Sequence, residues 1–427
     1  MSDASMKRSS NILAMSIIGL LFFIFGFVTW LNGSLIPFLK LICDLSEFEA
    51  LFVSFAFYIA YTVMALPMAY VLEKTGYKNG MALGLGVMVV GSLLFIPAAL
   101  SGEFLVFLVA LFTLGTGLTI LQTASNPYVV LIGPLESAAM RISIMGLINK
   151  AAGVLVPLLF TALIFSDISS TATQNFSAYE IDTLAQRLIV PYVIMACVLA
   201  FLVLLVKFSS LPELEFEKQN ADEKKSIFAF ARLILGALAL FFYVGIEVIA
   251  GDTIGLYAQN LGVANATAMT SYTMVFMVFG YLAGVAFIPR FLSQEKALFG
   301  SGLLGILLLF GVAFGSRTSF FLSEILWGWS GIATLPDTLV FVALLGLANA
   351  LVWPTIWPLA LEGLGRYTAK GSALLIMAIA GGAILPLVFG KIAYVSGNMQ
   401  MSYLFGIVCY IFILMYALMW HKKMTWR

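Results

Sequence analysis

The sequence predicts an all-α integral membrane protein of twelve transmembrane helices, arranged as two pseudo-symmetric six-helix bundles. Three observations predict it. The composition is the first: 62% of the 427 residues are hydrophobic and only 10% charged, with a mean hydropathy of +1.05. A soluble domain is nearer half apolar and a quarter charged. The second is a set of twelve apolar runs, each near the roughly 20 residues that a helix needs to cross a bilayer. The third is an internal repeat. "RISIMGLINKAAGVLVPLLF" from Arg141 and "KGSALLIMAIAGGAILPLVF" from Lys370 align at an offset of 229 residues, which places Pro157 on Pro386 and Ala152–Gly153 on Gly381–Gly382. A duplicated transporter leaves such a trace and puts its site between the repeats at mid-membrane.

The runs fall at 12–38, 50–72, 79–100, 104–132, 140–165, 188–208, 228–258, 267–289, 297–315, 335–361, 371–394 and 401–420. They are continuous rather than alternating, which excludes a β-barrel. The polar opening "MSDASMKRSS" precedes a run too long for a signal-peptide core, so the first run reads as a retained helix. The charged stretch "LPELEFEKQNADEKK", 211–225, reads as a solvated linker. It divides the chain into an N-terminal bundle (1–210), a linker (211–227) and a C-terminal bundle (228–427).

Loop charge sets the orientation. With both termini in the cytoplasm, seventeen Lys and Arg residues fall inside and four outside, as the positive-inside rule requires. A multi-pass protein of the cell inner membrane is expected, surrounded by lipid and acting as a monomer. A net charge of +1 gives no reason to expect a nucleic-acid partner. The three cysteines, Cys43, Cys197 and Cys409, have no metal spacing and no disulfide pattern. The single histidine, His421, stands at the tail with no nucleophile near it in sequence, so an enzyme is not expected and no cofactor is implied.

Lys150 is the one basic residue that no loop accounts for. At about 1.5 Å per residue it lies about 13 Å in from Arg141, near the middle of a core about 30 Å thick. Its stem could snorkel only part of that distance. A silent ion pair bracing two helices is the bland alternative, but an intramembrane charge is otherwise a functional site with a partner to be named. Glu247 and Asp252 in "FFYVGIEVIAGDTIGLY" are the candidate partners. Five residues apart, they point about 140° away from each other on a regular helix. Gly245, Gly251 and Gly255 could break that helix and free carbonyls to line a cavity.

Neutral polar groups complete the candidate site. Gln122 and Asn126 stand four apart on one face of the fourth segment. Trp30 and Asn32 lie on the first, Asn149 on the fifth, and Asn349, Trp353 and Trp357 on the tenth. Amides both donate and accept, as sugar hydroxyls do. An indole can cover the C–H face of a pyranose. Each alone could be an interface aromatic or inter-helix glue, but amides and indoles on both halves favour a sugar.

Several motifs carry a family resemblance: "LNGSLIPFL", "LQTASNPYVVLIGP", "RISIMGLINKAAG", "YVGIEV" and "WPTIWPLALEGLG", with "EKTGYK" at 73–78 as a relaxed acidic–basic–Gly loop. Through them nearly the whole chain resembles the fucose/glucose–galactose branch of the major facilitator superfamily, the sugar–cation symporters. The resemblance implies a central sugar cavity, alternating access, and a substrate such as glucose, galactose or mannose. It also implies differences. Proton-coupled fucose symporters carry an aspartate where this chain has Gly33 and a glutamate where it has Gln122. Gln122 looks like the glucose/galactose side of the branch, some members of which use sodium. Asn149 matches the branch's amide, and Lys150 has no counterpart to carry over.

The expected function is therefore import of a monosaccharide by cation symport, with Na⁺ favoured and Glu247 and Asp252 as its ligands. Lys150 would release an acid when the ion binds. The alternatives are H⁺ coupling and a drug or solute exporter of the same fold. An exporter's pocket would be more uniformly apolar.

Overall fold

A computed structural model of the chain describes residues 3–132, 138–165, 177–209, 211, 226–288 and 291–426. Twelve helices are long and apolar enough to cross a membrane. They are α1 (Leu13–Ile42), α2 (Glu47–Met68), α3 (Lys74–Ser101), α4 (Phe104–Asn126), α5 (Met140–Ile164) and α6 (Tyr179–Phe208), then α7 (Ala231–Asp252), α8 (Ala266–Phe287), α9 (Gln294–Phe314), α10 (Asp337–Leu361), α11 (Lys370–Ser396) and α12 (Met399–Lys422). Every expected segment is matched by one of these. Most of the linker expected at 211–227, with Lys218, Lys224 and Lys225, lies outside the described residues, as does Arg290. With twelve spans, both termini lie at one end of the bundle, here called the terminal end; the other is the far end.

Local chemistry explains the helix boundaries. Ser46 and Ser177 open capping boxes with Glu49 and Glu180, which satisfy the first free N–H groups of α2 and of the helix leading into α6. Gly102 closes α3 in the left-handed region, φ 66°. Between α2 and α3, helix continues from Phe52 to Ser101 except at Gly76, whose φ of 78° and ψ of 169° turn the chain. Only glycine enters that region without strain, so the "EKTGYK" loop turns there.

Several spans are interrupted, and the interruptions near the middle of the C-terminal half bear on the site. Helical backbone stops at Thr253 just past α7 and resumes over Ile254–Asn260. The helix of α10 breaks at Leu351, and α11 passes through a 3₁₀ turn at Ala378–Ala380. The break beyond α7 falls at Thr253, between Gly251 and Gly255, rather than at any of the three glycines. Gly245 packs on Leu385, and Gly251 lies against Trp30 and Met274. The carbonyls of Ala250 and Gly251 accept hydrogen bonds from Thr273 and Thr270 of α8. The glycines therefore allow close packing, and these two carbonyls are already bonded rather than free to line a cavity.

The packing repeats the sequence symmetry. α5 packs on α1 and α8, while α11 packs on α7 and α2. Gly153 of α5 lies against Trp30 and Met274, and its counterpart Gly382 of α11 lies against Tyr58 and Val248. A side chain at either position would hold the two bundles apart. The outer surface is apolar: Leu155, Leu158, Leu159 and Leu163 of α5 are all exposed, a face that suits acyl chains and not water.

At the far end the bundles are joined along a seam. Ser34 of α1 donates to the Thr267 carbonyl at 2.6 Å, and Thr161 of α5 shares a 2.7 Å hydroxyl bond with Thr267. Ser271 of α8 donates to the Val154 carbonyl at 2.7 Å. Asn260 donates to Glu47 at 2.8 Å. A Cβ on Gly33 would overlap Thr270 Oγ1, so backbone contact there is as close as it can be.

Candidate functional site

Between the bundles lies an open cavity that, with the solvent at its mouth included, encloses about 720 Å³. A second of about 420 Å³ shares Phe22, Asn126, Gly146, Tyr281 and Trp353 with it and continues toward the terminal end, past Ile142 and Trp357. The site is thus closed at the far end by the seam and extends toward the other.

The charges meet in this cavity. Lys150 Nζ of α5 lies 2.6 Å from Glu247 Oε1 of α7, and both residues are 7% exposed. The same nitrogen sits 4.3 Å from the centroid of the Trp30 ring, in range for a cation–π contact. Trp30 Nε1 in turn donates to Asn149 Oδ1 at 3.3 Å. Two intramembrane charges are tolerable because each is the other's partner; either alone would be costly to bury. The pair also spans the two bundles.

Amides and aromatics surround the pair. Gln122 of α4 donates to the Tyr61 hydroxyl at 3.0 Å, and Asn126 lies on the same face, one turn on. From the other half come Tyr243, whose hydroxyl lies near Glu247, and Trp353, stacked on Trp357 with ring centroids 5.0 Å apart. Trp30, Gln122, Asn126, Asn149, Lys150, Glu247 and Trp353 thus face one cavity, with Trp357 in its extension.

Three expected site residues lie apart from it. Asn349 is fully buried within the C-terminal half and accepts the Tyr410 hydroxyl bond at 2.9 Å. Its amide serves helix packing, a correction to its expected place at the sugar. Asn32 is 1% exposed and does not line the cavity. Asp252 is fully buried, and its Oδ2 accepts from Ser54 Oγ of α2 at 3.0 Å. The two acids therefore have different partners, Lys150 for Glu247 and Ser54 for Asp252, rather than forming one shared ion cradle. Among the described residues, no group of three or more His, Cys, Asp or Glu could hold a metal ion. Sequence reasoning missed Ser54, Tyr58, Tyr61 and Tyr243, although the spacing in "FYIAYT" puts Tyr58 and Tyr61 a turn apart on one apolar helix.

A polar mid-membrane cavity between two pseudo-symmetric six-helix halves defines the architecture of a secondary transporter. The chain belongs to the Major Facilitator Superfamily, whose family model matches residues 18–386. It is 35% identical to the glucose/galactose transporter of Brucella abortus biovar 1 (strain 9-941), covering 96% of this chain and 94% of that one. It is 27% identical to the L-fucose-proton symporter of Escherichia coli (strain K12), over 97% and 94% of the two chains. Among solved structures it is similar to the superfamily transporter FucP in the outward conformation, with a TM-score of 0.71, 26% identity, and 96% and 98% of the chains covered.

Proposed function

We propose that the protein carries a monosaccharide across the membrane by alternating access, coupled to the movement of protons. The observation that carries this reading is the cavity itself. Amides of the N-terminal half and indoles of both halves surround an ion pair that bridges the halves. Gln122, Asn126 and Asn149 offer donors and acceptors to sugar hydroxyls, Trp30 and Trp353 offer flat apolar faces, and the Lys150–Glu247 pair can both donate to and accept from a bound hydroxyl. The names of the relatives support a hexose of the glucose or galactose type. In this reading both termini are cytoplasmic and the far end is external.

The proton takes the place of the expected sodium for two reasons. A sodium site needs several oxygen ligands converging on one point, and Glu247 is occupied by Lys150 while Asp252 faces Ser54. Relatives whose names state an ion name the proton.

Uptake into proteoliposomes tests the reading. A panel of hexoses would be offered under a pH gradient, a sodium gradient, or neither. Accumulation of glucose or galactose driven by the pH gradient alone is expected. Sodium-driven accumulation would restore the sodium reading, and transport of lipophilic cations without sugar would make the protein an exporter.

A further inference from the structure

We propose that Asp252 carries the coupled proton, and that the seam at the far end closes only when this carboxyl is neutral. The inference rests on the proton-coupled reading above and adds the residue and the device.

Asp252 ends the regular part of α7, one residue before the backbone breaks at Thr253. Among the described residues its side-chain hydrogen bond comes from Ser54 to Oδ2; Oδ1 has none. Two other buried polar atoms, Asn32 Nδ2 of α1 and the Tyr58 hydroxyl of α2, face each other without a hydrogen bond of ordinary geometry. Tyr58 is also within electrostatic reach of Asp252. Its hydroxyl and the free carboxylate oxygen thus both keep bonding capacity to spare, where native interiors rarely leave any.

The charges around Asp252 do not neutralise it. Those that reach it are Glu247, five residues back on its own helix, and Lys150, and these two cancel each other. Its other neighbours are uncharged: Ser54 and Tyr58 from α2, the latter against Asn32 of α1, and Thr270 and Thr273 of α8 on the adjacent carbonyls. A bare carboxylate here would forfeit hydration without gaining a cation, at a cost of several kcal/mol. As COOH the group is uncharged and brings a donor as well as acceptors, which suits the uncharged hydroxyls of Ser54 and Tyr58 around it.

The position couples this chemistry to movement. Ser54 belongs to the N-terminal half and Asp252 to the C-terminal half, so their bond crosses the interface that must part when the far end opens. Opening wets Asp252, and the carboxylate takes a proton from far-side water, forming an O–H bond. The neutral group can then be dried as the seam closes. Tyr58 both lines the cavity that extends toward the terminal end and lies within electrostatic reach of Asp252, so the way out for the proton runs past its hydroxyl to cavity water. The O–H bond breaks there and the proton leaves as hydronium. The carboxylate left behind again favours an open seam. The proton is therefore carried at the seam, and the sugar beside Lys150 and Glu247.

The test uses the full chain in proteoliposomes, with labelled galactose and glucose and a trapped pH dye. Asp252→Asn holds the group permanently neutral. Its sugar counterflow is expected to stay within about twofold of wild type, because exchange needs no net proton movement. Its uphill accumulation under a pH gradient is expected to fall to equilibration, and its sugar-evoked pH change to vanish. Asp252→Glu restores a titratable group and is expected to regain accumulation with a displaced pH profile. Proton-driven accumulation by Asp252→Asn overturns the proposal. If Asp252→Asn does not fold, an unchanged pH profile in Asp252→Glu overturns it equally. Absence of sugar counterflow in the wild type would instead remove the sugar reading on which it rests.

Discussion

Lys150 and Glu247, 97 residues apart in sequence and on opposite halves of the protein, form a 2.6 Å ion pair roofed by the Trp30 ring. The pair is dry enough that its two members depend on each other. Breaking a buried pair by removing one partner costs about 3–5 kcal/mol, whereas replacing both with apolar groups is often neutral. Lys150→Met and Glu247→Met alone should each lower the melting temperature in detergent, and the double variant should recover most of the loss. Thermal unfolding of the four proteins checks this. Sugar-induced stabilisation should be absent from all three variants, since none retains the paired charges at the cavity.

Trp30 is bonded on two sides, by its face to Lys150 and by its N–H to Asn149. Trp30→Phe keeps a ring face and loses the N–H bond. A net hydrogen bond of about 1 kcal/mol corresponds to about a fivefold loss of sugar affinity, if Asn149 loses its orientation with it. Trp30→Ala should lose more, because the cation–π contact goes as well. Titration calorimetry with the preferred hexose separates the two variants.

Gly33 lies where backbone meets the opposite half, and a Cβ there would overlap Thr270 Oγ1 and crowd the Gly251 carbonyl. Gly33→Ala should therefore hold the seam apart. Overpacking costs about 1–3 kcal/mol, enough to shift a near-balanced two-state equilibrium about fivefold or more toward the open far end. Labelling of a Ser34→Cys probe by a membrane-impermeant thiol reagent should rise accordingly. Unchanged labelling would mean that the seam yields elsewhere.

Cys43 follows α1 in the far-end turn. Burial, with the Glu103 carboxylate as the second cause, pushes its thiol up to about 11. The thiolate is the reactive form, and raising an acid's pKa makes that form scarce below the new value. Maleimide labelling of Cys43 should thus be slow at neutral pH, rise about tenfold with each pH unit and level off only near pH 11. Peptide mass spectrometry across a pH series reads this directly. Labelling of Cys43 at neutral pH as fast as that of an unburied thiol would contradict the burial described.

Much of the fold could be read from the residues because its signals are unambiguous in lipid. Twelve apolar runs must be helices, since no other continuous element satisfies its own backbone there. Lys150 and Glu247 were legible for the same reason: an intramembrane charge needs an opposite one. The amides divided differently. Asn126 faces the cavity while Asn349 bonds Tyr410 inside its own half, and nothing in sequence distinguishes an amide that reads a ligand from one that joins two helices. Ser54 was illegible because hydroxyls in apolar helices commonly bond the carbonyl one turn back. Ser92, Thr119 and Thr123 do so here. Only tertiary structure reveals that Ser54 instead reaches Asp252 on the other half.

Three bonds of the far-end seam, from Ser34, from Ser271 and between Thr161 and Thr267, join uncharged groups. Mobile ions have little hold on such contacts, because the screening they provide acts on charge. Brine should therefore leave the rate at which this gate swings nearly unaltered. A carrier fastened by paired lysines and glutamates at the same place would loosen as salt rose, and would turn over at a different pace in fresh and saline surroundings.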